Sequence, residues 1–176
     1  MPQSPGIFLD RDGTLIYDTG YIGNPDLVDF IPAVLPTLRR FQDEGYRLVV
    51  ISNQSGIGRG VITQEQYESV ARRIADGLSE HGIRVATYYC PHSPDDGCEC
   101  RKPNPFLLLR AARDLDIDLG RSYMIGDRLT DVEAGAAAGC KTILLAQGES
   151  AECRPSPPYA DYVCPDWPCI SRIISP

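Results

Sequence analysis

Two carboxylates one residue apart, Asp10 and Asp12, follow the apolar run Ile7-Phe8-Leu9 and precede Gly13-Thr14. On a continuing strand both would project to the same side. Like charges that close are costly unless a cation or a shared proton relieves them. A divalent cation does so, and Mg²⁺ fits because it tolerates few protein ligands and leaves room for a phosphate. The other reading of Asp-x-Asp alone is a solvated acidic turn.

Three further stretches end in groups that suit phosphate chemistry. Leu48-Val49-Val50-Ile51 runs into Ser52-Asn53-Gln54-Ser55-Gly56, and Ile57-Gly58-Arg59-Gly60 then adds a cation. A hydroxyl, an amide and nearby backbone N–H groups are neutral donors for phosphate oxygens; without a ligand the string is an ordinary polar turn. Ser122-Tyr123-Met124-Ile125-Gly126-Asp127 carries an acid at its end, with Asp131 four residues on. Cys90-Pro91-His92 and Cys98-Glu99-Cys100 flank five polar residues, and three thiols with one imidazole fill a tetrahedral zinc site that leaves no open position. The competing reading is a loop of free thiols. Arg101-Lys102-Pro103 follows directly, either as a solvated surface pair or as a phosphate clamp of one guanidinium fork and one point charge.

These groups need strands that end together. Ile7–Leu9, Arg47–Ile51, Val85–Tyr89, Ser122–Asp127 and Lys141–Leu145 read as strands, and Ala160–Val163 as one more short one. Helical spacing predicts helices over Ala33–Glu44 and Pro103–Leu115, and a small-residue helix after Asp131 that Asp131 caps. Thr63 and Gln66 mark the start of another, running to Glu80 with His81 at its C-terminal end. Trp167–Ile174 closes the chain as a short helix. Asp18–Asp29 reads as a loop, with Tyr21 and Ile22 forming a lip over the site or packing the loop down, and 147–158 as another. The alternating β/α order predicts a doubly wound parallel sheet that brings all these strand ends to one edge.

At 176 residues, with 43% hydrophobic and 23% charged, the chain reads as a single globular domain over residues 1–176: a core over 6–148, a zinc loop over 90–100, and a C-terminal tail over 149–176. The net charge of −7 argues against a nucleic-acid groove or an anionic membrane as partner. No apolar run approaches a membrane span and the N-terminus lacks a leader pattern, so a cytoplasmic protein is expected, as a monomer. Seven cysteines are an odd count. In a reducing compartment they serve as ligands or free thiols, and Cys140, Cys153, Cys164 and Cys169, which lack ligand spacing, are read as unpaired.

Asp10-Arg11-Asp12-Gly13-Thr14, Ser52-Asn53-Gln54, Lys102-Pro103 and Gly126-Asp127 together resemble the four signature motifs of the haloacid dehalogenase (HAD) superfamily of phosphohydrolases. The stretch 52–60 and Cys90-x-His92…Cys98-x-Cys100-Arg101-Lys102-Pro103 are similar to the heptose-bisphosphate phosphatase and histidinol-phosphatase subfamily. The resemblance implies an α/β Rossmann-like fold without a large cap domain, with a structural Zn²⁺ on Cys90, His92, Cys98 and Cys100. It implies Asp10 as nucleophile, Asp12 as general acid and base, and Mg²⁺ on Asp10, the Asp12 carbonyl and Asp127. Ser52 and Lys102 would steady the phosphoryl group, with Asp131 in support. Substrate contacts would come from Asp18, Thr19, Gly20, Tyr21, Asn53, Gln54, Ser55, Arg59 and Arg101. The implied substrate is a small phosphorylated sugar, most specifically a heptose 1,7-bisphosphate, for which Arg59 and Arg101 offer charge to a second phosphate. Histidinol phosphate, to which the short zinc loop is better matched, and a non-catalytic zinc-stabilised binding module are the alternatives.

Overall fold

The apolar run before the first carboxylate forms β1 (Ser4–Leu9), and its Ile7, Phe8 and Leu9 are wholly buried because helices cover both sheet faces. The computed structural model describes residues 3–146, 154–156 and 159–174. After β1 the order is α1 (Val34–Asp43), β2 (Arg47–Asn53), α2 (Ser55–Gly58), α3 (Gln64–Glu80), β3 (Val85–Cys90), α4 (Phe106–Leu115) and β4 (Ile117–Gly126). Then come α5 (Leu129–Ala138), β5 (Lys141–Leu145), β6 (Arg154–Ser156), β7 (Ala160–Cys164) and α6 (Trp167–Ile173).

The strands lie in the order β3-β2-β1-β4-β5-β7-β6, six of them parallel and β6 antiparallel to β7 at the edge. From β1 the chain proceeds first to one side, through β2 and β3, and later to the other, through β4 and β5. Such a reversal opens a crevice at the carboxyl ends of the central strands. Side-chain alternation divides the core. Ile7 and Leu9 face Leu38, Phe41, Val70, Leu78 and Trp167, whereas Phe8 faces Leu107, Leu108, Met124 and Ala134. The small residues of α5 allow it to lie close to β4: a Cβ on Gly135 would stand 2.5 Å from that of Met124. The capping box of Thr63 and Gln66 is formed at the start of α3.

Several expectations are corrected. β2 and β3 run on to Asn53 and Cys90, so the polar residues begin while the backbone is still paired. Asp131 sits in the first turn of α5 rather than at its cap and accepts from the backbone N–H of Arg128. The stretch read as a loop contains β6, where an edge place tolerates Pro155; the rest of 147–158 lies outside the described residues. The presumed tail is core: β7 pairs with β5, and Trp167, Cys169 and Ile170 are wholly buried against the sheet. Trp167 Nε1 donates to the Thr14 carbonyl at 3.0 Å, so the end of the chain braces the turn after β1. Cys140 and Cys164 are free thiols as expected, but Cys169 is disulfide-bonded, because sequence spacing does not reveal which sulfurs meet; Cys153 lies outside the described residues. Among the described residues no helix is long and apolar enough to cross a membrane.

Candidate active site

β1 ends at Leu9, with one more bond from Asp10 N–H to the Ile125 carbonyl, and the chain then turns through Gly13, whose φ of 78° is the left-handed conformation glycine tolerates. A Cβ there would also collide with the Asp127 carboxylate. Because the strand does not continue, the two carboxylates part company. Asp10 Oδ1 accepts from Lys102 Nζ at 2.7 Å. Asp12 is gripped by Arg11, whose Nε and Nη2 each donate at 3.0 Å, and by Gln54 Nε2 at 2.9 Å.

Lys102 is 2% exposed, and its ammonium reaches Asp131 Oδ1 at 2.7 Å and the Ile51 carbonyl at 2.6 Å as well as Asp10. Burial disfavours its charge, yet the two carboxylates outweigh burial and raise its pKa, so it stays protonated. Its backbone is fixed by Asn53, whose side-chain nitrogen donates to the Lys102 carbonyl and whose oxygen accepts from the Lys102 N–H, both at 3.0 Å. The Asn53 amide thus braces the lysine, a use that sequence reasoning reserved for substrate.

Carboxylate oxygens of Asp10, Asp127 and Asp131 lie within 4.8 Å of one another. Asp127 Oδ1 is buried with no hydrogen-bond partner. Burial first, then the charges of Asp10 and Asp131, push the Asp127 carboxyl up to about 7. Three clustered acids, two of them on one lysine and the third with an oxygen left unpaired, form a donor set that suits a hard divalent cation.

A second donor set lies beyond β2 and β3. The Cys90 and Cys98 sulfurs are 3.5 Å apart, those of Cys98 and Cys100 are 3.6 Å apart, and His92 Nδ1 is 3.2 Å from Cys100 Sγ. Sulfurs on tetrahedral zinc, with bonds of about 2.3 Å, stand about 3.8 Å apart, so the four atoms have the dimensions of that site. Burial raises the Cys98 thiol, but hydrogen bonds from Cys90 and Cys100 prevail and bring it down to about 7. The loop is tied to α2: Gln54 N–H donates to the Cys90 carbonyl at 2.7 Å and Gly58 N–H to that of Pro91 at 2.8 Å. A Cβ on Gly58 would stand 2.7 Å from the Ser93 nitrogen, so the two backbones touch as only glycine allows.

These groups surround a cleft of about 720 Å³ lined by Asp10, Asp12, Asp18, Gly20, Tyr21, Asn53, Gln54, Ser55, Arg101 and Lys102. Ser52, 1% exposed, is not among the lining residues but accepts from Gln54, which is, and Asp127 borders the adjoining hollow. Tyr21 is 48% exposed at the rim while Ile22 is buried in the core, so one forms the lip and the other anchors it. Thr19 and Arg59 are not among the lining residues, and Arg59 is exposed at the end of α2. Sequence reasoning missed two cations. Arg128 lines the cleft and pairs with Asp18 at 3.0 Å. Arg11 is 4% exposed beside Asp12. Each adjoins a singled-out aspartate, which was the available signal.

A strand-end carboxylate beside a buried lysine, with a hydroxyl at the next strand end and an acid at the third, at the switch point of a doubly wound sheet, is the arrangement of a HAD-type phosphatase. The comparisons with known proteins agree. The HAD-hydrolase-like family model matches residues 99–167. The chain is 42% identical over 168 residues to the D-glycero-beta-D-manno-heptose-1,7-bisphosphate 7-phosphatase of Yersinia pestis, covering 86% of this chain and 89% of that one. It is 41% identical over 151 residues to the protein of the same name from Escherichia coli K12, covering 81% and 79%. The crystal structure of D,D-heptose 1,7-bisphosphate phosphatase from B. bronchiseptica, complexed with magnesium and phosphate, superimposes with a TM-score of 0.83 at 32% identity, covering 97% of each chain. The chain belongs to the HAD superfamily, in the family of these heptose-bisphosphate phosphatases, and is a phosphoric monoester hydrolase.

Proposed function

We propose that this phosphatase removes the 7-phosphate of D-glycero-D-manno-heptose 1,7-bisphosphate, leaving heptose 1-phosphate. The observation that carries this reading is the pairing of Asp10 with Lys102 at the floor of an open cleft whose wall also presents Arg101 and Arg128. The lysine neutralises charge at the reacting phosphoryl group, and the two guanidiniums offer forks to a second phosphate. The family relatives carry that substrate in their names.

Asp10 attacks phosphorus through its free oxygen, and the bond from phosphorus to the sugar oxygen breaks. Asp12 protonates the departing alkoxide, then takes a proton from the water that opens the aspartyl-phosphate, which divides one difficult displacement into two easier ones. Ser52 and Lys102 hold the phosphoryl oxygens. Asp10, Asp127 and the Asp12 carbonyl would hold Mg²⁺, which neutralises phosphate charge and aligns the attack. Cys90, His92, Cys98 and Cys100 would hold Zn²⁺ as a purely structural ion. Asp18, Gly20, Tyr21, Asn53, Gln54, Ser55 and Arg101 make up the substrate wall, with Thr19 between two of its members and Arg59 exposed at the end of α2. The enzyme acts as a cytoplasmic monomer in this reading, and a single species of monomer mass in sedimentation checks the oligomeric part.

The test is phosphate release with Mg²⁺ from both anomers of heptose 1,7-bisphosphate beside histidinol phosphate. A preference of at least about tenfold in kcat/KM for a heptose anomer is the expected result. A preference for histidinol phosphate would overturn the substrate assignment and leave the chemistry standing.

A further inference from the structure

Gln54 lines the cleft, but its side chain is turned inward and is 6% exposed. Its Oε1 accepts from Arg11 Nη2 at 3.0 Å, while its Nε2 lies 2.6 Å from Ser52 Oγ and 2.9 Å from Asp12 Oδ2. A guanidinium has no acceptor, so the amide oxygen must face Arg11 and both amide protons must face Ser52 and Asp12. Arg11 is itself immobilised, with two N–H groups on Asp12 and its guanidinium 5.7 Å from the centre of the Tyr67 ring. The direction of every bond in the chain is therefore set from the arginine outward.

A serine hydroxyl has one proton and two acceptor positions. Ser52 receives a hydrogen bond from Gln54, and no acceptor among the described residues takes the Ser52 proton. Without Gln54 the hydroxyl would lose the donor that fixes its rotor. We propose that Gln54, oriented by Arg11, is a positioning residue that keeps the Ser52 O–H directed at the transferring phosphoryl group. Its second N–H holds Asp12 meanwhile, so one amide sets both the phosphoryl donor and the acid. This inference rests on the phosphatase reading given above and is independent of which sugar is bound.

The test is a double-mutant cycle on the full-length, Mg²⁺-loaded enzyme. It is read by p-nitrophenyl phosphate turnover and by Mg²⁺-dependent affinity for orthovanadate, which mimics the five-coordinate phosphoryl group. Gln54→Glu keeps the shape and still accepts from Arg11, but it accepts the Ser52 proton instead of donating. We expect turnover to fall about 100-fold or more, as when a preorganised donor is lost, with vanadate weakened and KM changed less than kcat. Gln54→Met frees the hydroxyl to rotate and should cost no more than about 10-fold. In a Ser52→Ala background the cost of Gln54→Glu should shrink by at least about 10-fold, the mark of two residues acting as one. An equal cost in both backgrounds would reduce the effect to the added charge and overturn the proposal, as would Gln54→Met proving as damaging as Gln54→Glu. If Gln54→Glu does not fold, Arg11→Met removes the bond that orients the amide, and its loss must likewise shrink without Ser52. A wild type that clears the aryl ester but not the heptose ester overturns only the sugar assignment. One that neither turns over the aryl ester nor binds vanadate overturns both readings.

Discussion

Lys102 Nζ stands 2.7 Å from Asp10 Oδ1, joining residues 92 positions apart in a place where the lysine is 2% exposed. The pair sets the Asp10 carboxylate, the proposed nucleophile, against a fixed positive charge. Asp10→Asn preserves the shape but removes the nucleophile, so turnover should drop by about 10⁴-fold or more while the melting temperature stays close to wild type. An active Asp10→Asn enzyme would exclude an aspartyl-phosphate.

Lys102→Met is expected to behave differently. It strands Asp10 and Asp131 together in a buried site without their shared cation. Losing one partner of a buried charge pair costs about 3–5 kcal/mol, so this variant should show a clear loss in chemical denaturation as well as in turnover. Full stability with lost activity would mean that the lysine has no structural part.

Burial pushes the Asp127 carboxyl up to about 7 from an ordinary 3.8, with Asp10 and Asp131 adding to the shift. The fold thus favours the protonated acid. Its contribution to metal-free stability is complete below 3.8 and is lost as pH rises to about 7. A cation needs the deprotonated form, so Mg²⁺ affinity should climb with pH and level off above about 7. Calorimetric titration at several pH values checks this, and affinity that is flat between pH 5 and 8 (about one unit or more either side of the transition) would contradict it.

Stripping metal from the four-ligand loop should loosen a segment that holds the Gln54 and Gly58 backbones through the Cys90 and Pro91 carbonyls. A strong chelator, or Cys98→Ser, should lower the melting temperature by about 4–8 °C, corresponding to about 2 kcal/mol in a chain of this size. Phosphate affinity should fall with it. An unchanged melting curve after confirmed metal loss would remove zinc from the account of stability.

Trp167→Ala should cost about 3–5 kcal/mol through the cavity it leaves. Trp167→Phe keeps most of the bulk and deletes the bond to Thr14, so it should lose about 0.5–1.5 kcal/mol and reduce kcat. Equal kcat in Trp167→Phe and wild type would show that this bond does not tune the turn.

The sheet and the strand-end groups were legible in the sequence because buried parallel strands are short apolar runs and each ran straight into its polar residues. Lys102 could be singled out from motif context, but its grip on Asp131 could not, since that contact depends on where β4 and α5 come together. Arg11 lay in plain view between Asp10 and Asp12. Its role stayed hidden because the expectation of a continuing strand points both carboxylates one way, while the turn at Gly13 sends Asp12 toward Gln54. The strand at Ala160 and the helix at Trp167 were legible too, but not that they belong to the core. The Pro, Ser and Glu content before Ala160 suggested a tail, whereas Trp167 and Ile170 are wholly buried.

The bond from Trp167 to Thr14 spans 153 residues and links nearly the two extremes of the chain. The first motif to be made therefore receives this bond after the other three have been made. A nascent polypeptide that stops short of residue 167 would contain all four motifs and lack the strut beneath the first. The turn that carries Asp10 and Asp12 thus gains this support only when the helix bearing Trp167 has been made.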